Sequence, residues 1–426
     1  MVKTDVGKKI KFHRLNQNRT LEETADGICS LSYLSKIENG LTKSSEEIVR
    51  LLYNRLNIDY EVEEVGMDED HVEQELHEWY HMIIQRRSDQ ATEQYLQFKQ
   101  SMEQHSSPGI LALFQLFEIR YQLLMRHLNE VPILIEKVNR MKEMFEEKHQ
   151  YYLYKFTGIY HHMSNQYRVA QEQFSKAMTI LNRSPMSDFE KSDIYFGIAI
   201  NELRLLNITL SIHYSRLALD LYSINFDFHR SADCQILLGI CYKRIHQFDQ
   251  AEEAFHLAIK AANHLQEPSL KGVAYQNLGE MYSAMGRNEE AIQHYEKSLV
   301  FKENHNIKGK LTTIASMVEA LFAFDEKARL MEWIDRGIMM VEGKPDYQLF
   351  HYFFQVYKMR VEGDTISLEH YLRESVIPYF EGIDDRHYLA IYAELLSQCL
   401  QASKKYKDAC YYLSLANDSY KQLSKT

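Results

Sequence analysis

Helix breakers are scarce in this chain, which carries 16 Gly and 6 Pro in 426 residues. Sheet-rich folds need frequent tight turns, and tight turns draw on those two residue types, so the shortage points to a nearly all-helical protein. Long apolar runs are missing as well. No segment approaches about 18 uncharged apolar residues, the length that spans a bilayer, and the opening "MVKTDVGKKIKF" lacks the apolar stretch of a signal peptide. A cytoplasmic location without membrane contact is the expectation. The five cysteines (Cys29, Cys234, Cys241, Cys399, Cys410) are odd in number and include no C-x-x-C pair. They support neither a disulfide framework nor a cysteine zinc site and read as reduced, structural thiols. With no Gly-rich phosphate loop, no G-x-S-x-G elbow and no Cys/His dyad in a recognisable context, neither catalytic residues nor a cofactor are expected.

Aromatics, by contrast, are plentiful. The 29 Tyr and 20 Phe need burial, so a formal charge of -11 here belongs to a folded chain and not to a disordered acidic tail. At roughly 150 residues per domain, the length gives two or three units. Charge is unevenly spread: residues 1–60 hold ten Lys or Arg against eight Asp or Glu, whereas "EVEEVGMDEDHVEQE" (61–75) holds eight acids and no base. Such a break marks a connecting segment. We read residues 1–60 as one domain, 61–75 as an acidic linker and 76–426 as the remainder.

In the first domain, "TLEE" at Thr20–Glu23 fits a capping box, so a helix should open at Leu21 and run to about Ile28. Ser30 can cap the next helix, with Leu34 and Ile37 on one face and Leu31, Ser32, Ser35 and Lys36 on the other. Two short helices across a tight turn make a helix-turn-helix. A second capping box, "SSEE" at Ser44–Glu47, opens a helix whose Ile48, Leu51, Leu52 and Leu56 would close the small core.

The segments "GKKIKFHRL", "TLEETADGI" and "SLSYLSKIENG" together resemble the Xre/Cro-type helix-turn-helix of bacterial regulators, over residues 5–60. The resemblance implies that Ser30, Leu31, Ser32, Tyr33, Ser35 and Lys36 face the major groove of a double-stranded DNA operator, while backbone amides and basic side chains grip phosphate. It also implies a structural pairing of Arg14 with Glu38. One departure is Leu21, which stands where the family often carries Gln. The domain's net charge of about +2 leaves a dimerisation or docking module as the bland alternative. A self-associated protein, dimer or higher, would double the phosphate contacts.

The rest of the chain is repetitive. "LLGICYKRIHQFDQAEEAFHLAI" (237–259) aligns with "NLGEMYSAMGRNEEAIQHYEKSL" (277–299), and Leu238, Gly239, Tyr242, Ala251, Phe255 and Ala258 recur as Leu278, Gly279, Tyr282, Ala291, Tyr295 and Ser298. An upstream copy falls at Gly158, Ala170, Phe174 and Ala177, and a worn one near Ala409, Tyr412 and Ala416. This is the tetratricopeptide pattern, in which Gly lets paired helices touch, an aromatic fills the gap and small residues admit the neighbour. The fold expected is therefore all-α, an Xre/Cro-type domain followed by a right-handed solenoid of roughly nine helix pairs. In such a repeat the first helix lines the concave face. That geometry nominates Gln276, Asn277, Glu280 and Ser283, then Lys243 and Arg244, upstream Lys155 and His162, and more loosely Asn201. A carboxamide such as Asn277 can serve the free backbone of an extended peptide, and Lys243 or Arg244 an acidic group.

A rival reading attaches to "HEWYH", His77–His81, a literal H-E-x-x-H match that makes a zinc metallopeptidase the remote alternative. No third ligand stands out, the motif is short, and it falls in the first helix of the array, where His77 and Trp79 can simply pack.

Residues 5–426 as a whole resemble the RRNPP family of peptide-sensing regulators of Gram-positive bacteria, and within it the long-array neutral protease regulator (NprR-like) type. The resemblance implies a quorum-sensing transcription regulator switched by a short signalling peptide in the repeat groove. Relatives of the Rap type lack the DNA-binding domain and bind response regulators of the sporulation phosphorelay through the start of the array. Here "QRRSDQATEQYLQFKQ" (85–100) occupies that place. A response-regulator-binding inhibitor is thus the main alternative, or a second activity.

Overall fold

A computed structural model describes residues 6–58, 69–102, 107–184, 186–303, 306–324 and 326–423. Among them every regular element is helical. They fall into two compact units, Met1–Ile245 and His246–Thr426.

The first unit opens with α1 (Val6–Asn16), α2 (Leu21–Ala25), α3 (Leu31–Glu38) and α4 (Glu46–Arg55). Thr20 accepts from the Glu23 amide at 3.1 Å while Glu23 accepts from the Thr20 amide at 2.7 Å, so the expected capping box is present. Those bonds from Thr20 also hold the Glu23 carboxyl below its ordinary range. α2 stops at Ala25, short of the expected Ile28, because Asp26 leaves the helical region at ψ 125 and Gly27 turns the chain at φ +68. Likewise Ser45, not Ser44, caps α4. Its buried face also differs from expectation: Leu51 is 44% exposed, and Tyr53 takes its place beside Ile10, Leu34, Ile37, Leu52 and Leu56.

Of the segment read as an acidic linker, residues 61–68 lie outside the described residues, as do the last two residues read as the first domain, 59 and 60. The remainder of the linker is corrected: Glu69 to Glu75 are the first turns of α5 (Glu69–Ile84), where acids favour the positive end of the helix dipole. There follow α6 (Ser88–Met102), α7 (Pro108–Leu124), α8 (Val131–Asn139), α9 (Glu147–Met163), α10 (Tyr167–Leu181), α11 (Asp188–Arg204), α12 (Ile208–Ile224) and α13 (Phe228–Arg244). One apolar cluster runs through Trp79, Tyr80, Phe117, Tyr152, Phe156 and Phe174, and it also includes Phe12 of α1.

The second unit comprises α14 (Phe248–Leu265), α15 (Pro268–Ala284), α16 (Asn288–Phe301), α17 (Ile307–Phe324), α18 (Lys327–Val341), α19 (Gln348–Glu362), α20 (Thr365–Tyr371), α21 (Ile377–Gly382), α22 (Arg386–Ala402) and α23 (Tyr406–Leu423). A π-helical stretch, Leu372–Val376, joins α20 to α21.

The repeat signature packs as its residue types dictate. A Cβ on Gly158 would stand 2.9 Å from the Phe174 ring, and one on Gly279 only 2.5 Å from the Tyr295 ring, so these places admit no side chain. Ala170, Ala177, Ala291 and Ser298 are fully buried. Ser298 donates to the Gly272 carbonyl at 2.7 Å, and in the first unit Ser211 donates to that of Ala199 at 2.8 Å, each pinning a second helix to a first. Among the described residues no helix is long and apolar enough to cross a membrane.

Candidate nucleic-acid interface and repeat inner faces

The reading face is built by caps and by a clamp behind it. Ser30 accepts from the Tyr33 amide at 3.2 Å and starts α3, and Asn39 donates to the Ser35 carbonyl at 2.8 Å at its far end. Leu34 and Ile37 are buried, which turns Ser30, Leu31, Ser32 and Lys36 outward, with Leu31 48% exposed, and leaves Tyr33 and Ser35 half-buried. Behind α3, Arg14 donates to both Glu38 oxygens, at 2.7 and 2.8 Å, with both residues buried. A forked guanidinium on a carboxylate fixes distance and angle together. The backbones are close too: a Cβ on Gly7 would fall 2.0 Å from the Ile37 carbonyl oxygen. α1 and α3 therefore move as one piece, and what they present is two hydroxyls, a cation and an apolar side chain, a set suited to base edges and phosphate.

In the first unit the residues nominated for the groove separate by burial. Arg244 is exposed, with one loose bond to the Leu203 carbonyl at 3.4 Å, and Lys243 is half-buried. His162 is half-buried and meets Asn201 through Nδ1 and Oδ1 at 3.0 Å, while Asn201 donates to the Tyr167 carbonyl at 2.9 Å. Burial holds the His162 imidazole below its ordinary range. Asn201 and Lys155 are corrections to the groove reading, since both are 0% exposed. Lys155 is sealed because Tyr80 of α5 lies over it: its ammonium donates to Tyr80 Oη at 2.8 Å and to Glu190 at 2.8 Å, and it pairs with Asp193 at 2.7 Å.

The sequence reading missed the rest of this cluster. Asp193 also faces Arg230 at 3.5 Å, Arg230 pairs with Asp233 at 3.1 Å, and Arg86 reaches Asp233 at 3.3 Å. Burial pushes the Asp193 carboxyl up, but Lys155, Arg120 and Arg230 outweigh it and bring it to about 2. A signal was available: Glu190 and Arg230, and Asp193 and Asp233, are each one 40-residue period apart on first helices.

In the second unit Gln276 and Asn277 are mostly buried, while Glu280 and Ser283 are half-buried. Gln276 donates to Glu280 and to Ser316, both at 3.2 Å, and accepts from Lys302 at 3.2 Å and Thr313 at 2.5 Å. Asn277 donates to the Val273 carbonyl of its own helix at 2.9 Å. Burial brings the Lys302 ammonium down to about 8.

His77 and His81 sit among aromatics. His77 meets the Phe117 ring edge-on at 5.3 Å, with Glu73 at 3.7 Å from its Nε2, and His81 stacks on Phe189 at 3.8 Å. Burial lowers both imidazoles. They line a cleft of about 510 Å³ with Lys148, Tyr152 and Glu190. Among the described residues no group of three or more His, Cys, Asp or Glu is arranged to hold a metal ion.

Residues 10–62 match the helix-turn-helix family model, and residues 274–307 match that of the tetratricopeptide repeat. The transcriptional activator NprA of Geobacillus stearothermophilus is 31% identical over 405 residues, covering 94% of this chain and 99% of that protein. The apo form of the quorum sensor NprR from B. thuringiensis superposes with a TM-score of 0.71 at 17% identity, over 83% of this chain and 99% of that one. NprR in complex with its cognate peptide NprX gives 0.59 at 18% identity, over 83% and 99%. The fold is thus a helix-turn-helix domain followed by a tetratricopeptide-repeat solenoid, the build of a DNA-binding transcription regulator. The chain belongs to the RRNPP family of regulators, in its NprR-like branch.

Proposed function

We propose that this protein is a quorum-sensing transcription regulator that reads a double-stranded DNA operator through α3 and is switched by a short signalling peptide held on the inner faces of its repeats. It acts in the cytoplasm, as a dimer or higher self-assembly, and does no catalytic chemistry of its own. The observation that carries the reading is the outward Ser30–Lys36 face on a helix clamped to α1, in a chain that NprA matches over nearly its whole length. The Ser32 hydroxyl and the Lys36 ammonium contribute little to folding, whereas in a major groove they have partners. On the repeats, Arg244 and Lys243 offer cationic contacts and Glu280 with Asn277 polar ones to a peptide, which supports a ligand read through both its backbone and its charges. Selection from a randomised duplex pool tests the DNA reading: the wild type should enrich a paired motif, and Ser32→Ala and Lys36→Ala should each weaken binding to it. Equal binding by all three would overturn the assignment of α3.

A second output, docking of a response regulator, is favoured by the exposed side of α6, where Asp89, Gln90, Glu93, Gln97 and Gln100 surround a 63% exposed Leu96. Leu96→Asp should abolish capture of such a protein while sparing operator binding.

A further inference from the structure

α3 opens differently from its neighbours in the small domain. The first turn of α2 carries Glu22 and Glu23 and that of α4 carries Glu46 and Glu47, whereas the first turn of α3 carries no acid. Carboxylates at that place gain from the helix dipole, but on a face that meets phosphate they would repel it. The residue that stands first in α3 is instead Leu31, 48% exposed, while the other two aliphatic residues of the helix, Leu34 and Ile37, are 0% and 3% exposed. Leu31 lies outside the small core that Ile10, Leu34, Ile37, Leu52 and Leu56 form. Its position is nevertheless fixed, because Ser30 caps the turn by accepting from the Tyr33 amide at 3.2 Å. Leu31 is thus an apolar side chain held outward beside the exposed Ser32, at the end of α3 opposite Lys36.

We propose that Leu31 is a specificity-determining residue of the reading face and that it selects a thymine by packing on the C5-methyl group of that base. This rests on the operator-binding reading above and names one base the operator must contain. In a helix-turn-helix the N-terminal residues of the second helix meet base edges, and Leu31 is the first of them. In the major groove guanine presents acceptors, adenine an acceptor and a donor, cytosine a donor, and thymine alone a methyl group. A leucine neither donates nor accepts. Against guanine, adenine or cytosine it strips water from a polar edge and supplies no bond in return, which costs affinity. Against the thymine methyl group it buries two apolar surfaces together. Ser32 and Lys36 supply the hydrogen bonds of the same face, so a polar edge and a methyl group are read side by side.

The test uses the full chain and the duplex that the wild type enriches from a randomised pool. Each thymine of that duplex is replaced in turn by uracil, which keeps the hydrogen-bonding edge and removes only the methyl group, and the dissociation constant is read by fluorescence anisotropy. For the wild type, uracil at one thymine of the motif should weaken binding about fourfold, the equivalent of one buried methylene. Leu31→Ala, or Leu31→Ser should the first fail to fold, should bind the thymine and uracil forms of that position equally. Leu51→Ala, which truncates an exposed leucine of α4, should keep the wild-type ratio. A methyl penalty that persists without Leu31, or a motif in which no thymine responds to loss of its methyl group, overturns the assignment and leaves operator binding standing. A wild type that enriches no motif overturns the operator reading itself, and the role of Leu31 with it.

Discussion

Replacing Asp193 by asparagine removes one charge from the buried cluster without changing its shape. Asp193 is 4% exposed, with Lys155 at 2.7 Å and Arg230 at 3.5 Å, and those two are 0% and 4% exposed. Its carboxyl sits at about 2 in place of 3.8. At about 1.4 kcal/mol per pKa unit, that displacement is worth about 2–3 kcal/mol of stability. Stripping one partner from buried cations generally costs about 3–5 kcal/mol, so a loss near 3 kcal/mol at pH 7 is expected. Because the folded pKa lies below the unfolded one, the contribution is complete above pH 4 and disappears as pH falls from about 4 toward 2. The assay is urea unfolding followed by Trp79 in a Trp333→Phe background, since Trp79 belongs to the first unit and Trp333 to the second. A loss under about 1 kcal/mol at pH 7, the worth of an exposed pair, would mean that the Asp193 charge is screened as on a surface and does not hold the cluster. A stability difference between the wild type and Asp193→Asn that fails to shrink below pH 4 would mean the same.

The repeat packing predicts that Gly279→Ala lowers the urea midpoint by the equivalent of about 1–3 kcal/mol through overpacking, and that Tyr295→Leu in the same chain recovers part of it; a neutral Gly279→Ala contradicts the contact. Arg14→Met should destabilise the first unit more than Arg14→Met/Glu38→Leu does, because the single change strands a buried carboxylate; additive losses in a double-mutant cycle would mean the fork is not coupled. His77→Ala and His81→Ala should leave elemental analysis of metal-free purified protein unchanged, at well under one zinc per chain by the reading that both pack on aromatics; stoichiometric zinc in the wild type would revive the H-E-x-x-H reading.

The features legible in sequence were those set by neighbours along the chain or by the repeat period. Thr20 and Glu23 are three residues apart and cap as residue type alone dictates. Gly279 and Tyr295 recur with Gly158 and Phe174, so their contact follows from one repeat. What was not legible depended on distant partners. Lys155 occupies a first helix and reads as groove-facing, yet Tyr80, 75 residues earlier, closes over it. Phe12 lies on α1 of the small domain, and nothing in its sequence neighbourhood indicates that it packs in the repeat cluster with Phe117 and Tyr80. Leu51 and Tyr53 are both apolar on α4, and which of them is buried depends on how α4 is rotated against α1 and α3, a choice the spacing leaves open.

On the proposed function, ligand on the repeats and DNA on α3 are energetically linked. The direct measurement is fluorescence anisotropy of the selected operator against full-length protein, with and without short peptides that the immobilised protein retains from the culture medium of its own cells. Coupling between two sites typically amounts to about 1–3 kcal/mol, so saturating peptide should move the operator dissociation constant about fivefold or more, and Lys36→Ala should weaken operator binding while still retaining the peptide. An operator affinity identical at zero and saturating peptide would mean that the repeats and α3 are not coupled.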